Sequence, residues 1–116
     1  MPCRTLTSND ITVVVTAFPD EIPVQGNAIC SGDEDFDHQV ESEILKRLEQ
    51  DDIWAWATVC VTAEWEAVKE NEYLGCCCYE SEEDFRNNSG YFEEMVDQAI
   101  TSLNTRLQGL YKRMSV

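Results

Sequence analysis

The sequence predicts an α+β domain built from one antiparallel sheet of about three strands, with two main helices packed on one face. Three observations predict it. Residues 11–18 and 53–65 alternate with the two-residue period of strands. Residues 33–49 and 91–111 carry apolar side chains at helical spacing. The resulting order is β-α-β-β-α, and its two adjacent strands with a short connection suggest a hairpin. A chain of 116 residues has material for one core, so 1–116 is read as a single domain.

The first strand, Ile11 to Phe18, is β-branched and aromatic, with Ile11, Val13, Val15 and Ala17 on one face and Thr12, Val14, Thr16 and Phe18 on the other. Pro19-Asp20 ends it, and Pro23 and Gly26 mark the following segment as loop or irregular edge. Ser31-Gly-Asp-Glu34 has capping-box spacing. Phe36, Val40, Ile44 and Leu48 then line one face of a helix over Asp33 to Glu49, whose opposite face and first turn are rich in carboxylates.

Ile53 to Trp65 reads as the central strand, placing Ile53, Ala55, Ala57, Val59, Val61 and Ala63 on one side and Trp54, Trp56, Thr58, Cys60 and Thr62 on the other. A polar link through Asn71 leads to a third strand, Glu72 to Tyr79, with Leu74, Cys76 and Cys78 opposite Tyr73, Cys77 and Tyr79. A helical turn is expected around Glu82 to Phe85. The last helix, Tyr91 to Tyr111, has a broad stripe of Phe92, Met95, Val96, Ala99, Ile100, Leu103, Leu107 and Leu110. Helices on the small-residue faces would leave Val14, Thr16, Phe18, Trp54, Trp56, Tyr73 and Tyr79 on an outer aromatic face, a second candidate interface. The loop from Pro19 to Cys30 is the alternative cover for that face.

Composition narrows the function classes. Asp and Glu number 23 against 8 Lys and Arg, a formal charge of −15, while an apolar fraction of 43% supplies a core. Self-repulsion of that size opposes a compact state. It serves either bulk solubility, as in halophilic proteomes, or complementarity to a basic partner. Direct nucleic-acid binding is excluded by the lack of clustered cations. No basic-then-apolar leader and no apolar run long enough for a bilayer are visible, so the expectation is a cytoplasmic protein with reduced thiols and no membrane partner.

Catalytic and metal motifs are not found. Asp33, Asp35 and Asp37 open like a calcium loop, but His38 stands where glycine is needed and Ile44 where glutamate is needed. Cys76, Cys77 and Cys78 point alternately to opposite faces of a strand, without Cys-x-x-Cys spacing, and read as buried structural thiols. His38 lies among carboxylates with no nucleophile elbow or phosphate loop elsewhere. The expectation is a non-enzyme without cofactor or metal, acting through three acidic clusters. These are Asp33, Glu34, Asp35, Asp37 and Glu41; Asp51 and Asp52; and Glu82, Glu83 and Asp84. Carboxylates displayed along a helix and nearby loops approximate a line of phosphates and would compete for a DNA-binding groove.

The pattern Trp54-Ala-Trp56, Tyr73-Leu-Gly-Cys76, Asp84-Phe85 and Gly90-Tyr-Phe-Glu-Glu-Met95 is similar to one found in short phage reading frames of unknown role. In size, acidity and α+β pattern the chain also resembles phage anti-CRISPR proteins, some of which imitate DNA. That resemblance implies an anti-defence protein that occupies a basic, DNA-binding surface of a CRISPR effector complex and blocks target DNA. It transfers no residue by position, since such proteins share no common catalytic residues. A second reading is a homodimeric structural or regulatory adaptor associating through Trp54, Trp56, Tyr73 and Tyr79. A small enzyme with a scattered site is the third.

Overall fold

A computed structural model describes residues 5–114, with side chains described as far as Leu110. Strand β1 (Thr12–Pro19) pairs antiparallel with β2 (Ala57–Trp65), which pairs antiparallel with β3 (Val68–Cys77), giving the order β1-β2-β3. Three helices accompany the sheet: α1 (Glu34–Glu49), the short α2 (Glu82–Asn88) and α3 (Phe92–Met114). The predicted class and order are therefore present, with one helix more than the two main ones expected.

The small-residue faces of β1 and β2 do receive a helix. Val59, Val61 and Ala63 are fully buried beneath α3, whose Met95, Val96, Ala99 and Leu103 form the predicted stripe. Helix α1 sits elsewhere. Its Val40, Ile44 and Leu48 pack on Val24, Ala28, Ala55 and Trp56 in a separate cluster beyond the Ala57 end of β2. Stacking that unit on the end of the sheet lengthens the molecule to 63 × 23 × 21 Å. Its radius of gyration, 18.3 Å, exceeds the roughly 13 Å of a compact domain of this length.

Three local features depart from the strand pattern. Ile53–Ala55 forms a 3-10 turn, closed by Ala55 N–H donating to Asp52 O and Trp56 N–H to Ile53 O, so β2 begins at Ala57. Its alternating residues imitate a strand, but the turn's Trp54 carbonyl accepts from Tyr79 N–H and folds the segment inward. The link between β2 and β3 shrinks to Glu66-Ala67, because Glu66 takes the left-handed φ of 53° that a tight hairpin demands. A bulge then sets Ala57 opposite Cys77 but Val59 opposite Leu74, with Cys76 at φ 55°. Alternation resets there, so Leu74 and Cys77 share the core side instead of pointing apart.

Asp20 holds that bulge. Its Oδ2 accepts from Cys76 N–H at 2.7 Å and Thr58 Oγ1 at 3.1 Å, while Oδ1 accepts from Ile22 N–H at 2.8 Å. The backbone donors of Cys76 and Ile22 hold its carboxyl below the usual range. A depressed folded pKa means the contribution is present above the unfolded value near 3.9 and is lost as pH falls through the folded one. Asp20→Ala is expected to cost about 1 kcal/mol at neutral pH, after allowance for its solvent exposure. In urea titrations the gap between variant and parent should narrow as pH falls below the unfolded value and through the lowered folded one.

Candidate functional site

The ten predicted acidic residues divide by what their oxygens do. Asp33 caps α1, its Oδ1 accepting from Asp35 N–H at 3.1 Å and Phe36 N–H at 3.2 Å. The cap is thus two residues later than the capping-box spacing implies. Ser31 instead donates from Oγ to Asp37 Oδ1 at 2.6 Å, fixing Asp37 on the preceding turn. Glu41 is buried, and its Oε2 accepts from Gly26 N–H at 3.1 Å, tying the 20–30 loop to α1. As a surface phosphate substitute Glu41 is therefore corrected to a structural carboxylate, because the helix turns it toward the loop.

Asp52 pairs with Arg47 Nε at 2.8 Å, and Glu82 with Arg86 Nε at 3.0 Å. Asp84 accepts from Glu80 N–H at 3.0 Å and Asn88 Nδ2 at 2.9 Å, and the backbone donor lowers its pKa. Glu34, Asp35, Asp51 and Glu83 are exposed and make no side-chain hydrogen bond or ion pair to another described residue. They are the carboxylates available to a partner.

Arg47 brings two clusters together. Besides Asp52, its Nη2 donates to Tyr79 O at 2.6 Å, joining the end of α1 to the segment entering α2. Asp51-Asp52 and Glu80 to Asp84 therefore lie at the same end of the fold. The Asp33 to Asp37 cluster stands at the far end of α1, about 24 Å along its axis.

Charge follows this geometry. Segments 20–52 and 80–97 hold 18 of the 23 carboxylates and 3 of the 8 cations, a formal −15. The rest of the chain has 5 of each and is neutral. Those two segments supply the loop, α1, α2 and the start of α3, all grouped around the Ala57 end of the sheet. At the opposite end Arg106 meets Glu70 and Lys69 lies 4.0 Å from Glu64, so acidic and basic side chains are interspersed there.

The predicted aromatic face is not formed. Trp56 is buried at 3% exposure, and its Nε1 donates to Ile22 O at 2.7 Å. Trp54 and Tyr79 pack on the fully buried Phe85, with ring centroids 6.0 and 5.3 Å away. Of the seven residues expected on the outer sheet face, Val14, Thr16, Phe18 and Tyr73 do stand there, Tyr73 63% exposed, beside Cys60 and Thr62. The 20–30 loop covers only the Thr58 end, through Asp20. A homodimer through the two tryptophans is thereby removed, since the 3-10 turn buries Trp56 and packs Trp54 against Phe85.

Cys60 and Cys77 are buried, and burial pushes the Cys77 thiol up to about 11. Cys30 is exposed, and so are Cys76 and Cys78, contrary to the buried-thiol expectation for that run, because the bulge turns them outward. Cys3 lies outside the described residues. Among the described residues no three His, Cys, Asp or Glu side chains gather as metal ligands, and no helix is long and apolar enough to cross a membrane. A search of protein-family models, curated proteins and solved structures gives no match to this chain.

Proposed function

We propose that the protein is an inhibitor that docks its acidic end on a basic, nucleic-acid-binding surface of a host complex and excludes DNA from it. The observation that carries this reading is the concentration of 18 of the 23 carboxylates, against 3 of the 8 cations, in the segments that form one end of an elongated fold. Charge spread evenly would serve solubility. Charge gathered at one end produces a directed field that steers encounter with a cationic groove. Glu34 and Asp35 at one limit and Asp51 and Glu83 at the other offer free carboxylates over a span comparable to several phosphates. Resemblance in type to phage anti-CRISPR proteins makes the DNA-binding groove of a CRISPR effector complex the most concrete partner.

The test replaces Glu34, Asp35, Asp51 and Glu83 together by lysine and measures displacement of target DNA from a purified effector complex. Inhibition should weaken roughly 100-fold at low salt, with an unchanged circular-dichroism spectrum. Parent inhibition that is insensitive to salt and to this reversal would sink the electrostatic reading.

A further inference from the structure

The two edges of the sheet are unlike. Along β3 the outer edge is guarded, with Lys69, Glu70 and Glu72 in the strand and the Gly75-Cys76 bulge interrupting it. Charges and bulges are the usual means by which edge strands avoid pairing with other chains. The β1 edge has neither. Thr12–Pro19 is eight residues with no charged side chain and no register shift, and only Pro19, at its very end, lacks a backbone donor. No backbone hydrogen bond reaches β1 from any described residue outside β2. Its Val14 and Phe18 are 42% and 46% exposed on the open sheet face.

We infer that β1 is a self-association edge, pairing antiparallel with β1 of a second copy to make a continuous six-stranded sheet about a twofold axis. Three features select a second copy as the occupant. First, β1 itself carries no charged side chain and lies outside the two segments that hold 18 of the 23 carboxylates, so two copies of charge −15 meet along an uncharged strand. Second, antiparallel pairing sets the Pro19 end of one copy beside the Thr12 end of the other, which sends the two acidic ends in opposite directions. Third, the assembly closes: pairing β1 with β1 leaves only the guarded β3 edges outside, so growth stops at two.

The register follows from the pleat. A twofold axis perpendicular to the sheet keeps outer residues opposite outer residues, so the axis passes midway between the two copies of one β1 residue. Centring it on Thr16 sets Val14 of one copy against Phe18 of the other, twice, joining the strand's exposed apolar side chains. Centring on Val15 would instead set Phe18 against Thr12. With Thr16 on the axis, the two copies of that residue face each other directly.

Sedimentation of the full chain tests this independently of any nucleic-acid-handling partner. The parent should have twice the 13.3 kDa chain mass. Thr16→Lys and Thr16→Glu should each be single chains, since like charges then meet across the axis, and an equimolar mixture of the two should recover the doubled mass. Tyr73→Lys, on the same face but at the guarded edge, should leave the dimer intact. Hydrogen exchange of the parent supplies a second readout that needs no variant, with β1 amides gaining protection as concentration rises. A monomeric parent, a dimer indifferent to both Thr16 variants, or one lost in Tyr73→Lys would overturn the inference.

Discussion

Replacing Phe85 by alanine is expected to lower stability by about 3–5 kcal/mol. For a chain whose whole margin is of order 5–15 kcal/mol, that brings unfolding close to ambient conditions. The magnitude follows from its position. Phe85 is the largest fully buried side chain among the described residues and lies among Trp54, Tyr79 and Phe92, the latter two edge-on at 5.3 and 6.2 Å. It is also the one buried residue of α2. Truncation therefore opens a cavity and removes the anchor that holds Glu82 to Asp84 at the acidic end. With an m-value of about 1–1.5 kcal/mol per molar urea, the unfolding midpoint should fall by roughly 2–5 M. Phe85→Leu, which keeps most of the volume, should cost less than half as much. Equal midpoints for parent and Phe85→Ala would mean that the ring cluster is not the keystone of this end.

The contrast between Phe85 and Trp54 also shows where sequence reasoning reaches its limit. Alternation over Val59, Val61 and Ala63 and the stripe through Met95, Ala99 and Leu103 are read correctly because each regular element repeats one geometric rule. Residues 53–56 obey the same alternation and still leave the sheet, since the deciding interaction is a hydrogen bond from Tyr79 N–H, more than twenty positions away. The bulge at Cys76 is equally non-local: its amide is met by Asp20. Glu66 turns the hairpin without a glycine or asparagine to announce it. Acidic composition is legible as a total, but the division of labour is not. Glu41 becomes structural because a loop amide lies opposite it, and Asp35 stays free because nothing does. Charge segregation needs both the sequence and the knowledge that segments 20–52 and 80–97 converge. That convergence rests on Arg47, a side chain whose partners span residues 52 to 79.

Trp56→Ala is expected to separate α1 from the rest of the molecule and, under the proposed inhibitory role, to abolish inhibition although no carboxylate is changed. Trp56 joins the 3-10 turn to Ile44, Val24 and the 20–30 loop, and its Nε1 reaches Ile22 O. Few other apolar contacts attach α1, whose Phe36 and Leu45 face solvent at 49% and 48% exposure. Removing the indole should cost about 3–5 kcal/mol and leave the Ile22 carbonyl without its donor. An isolated sixteen-residue helix with several repelling carboxylates is marginal in water, so far-UV ellipticity should fall by about the share of α1. Trp56→Phe separates packing from hydrogen bonding. It keeps an aromatic ring, loses the Nε1 donor, and should cost about 1–2 kcal/mol with α1 still folded. If acidic display by α1 is the inhibitory element, Trp56→Phe should displace DNA nearly as well as the parent, whereas Trp56→Ala should resemble the lysine-reversed variant. Full inhibition by a Trp56→Ala protein that has lost the α1 ellipticity would move the activity off this helix and onto α2.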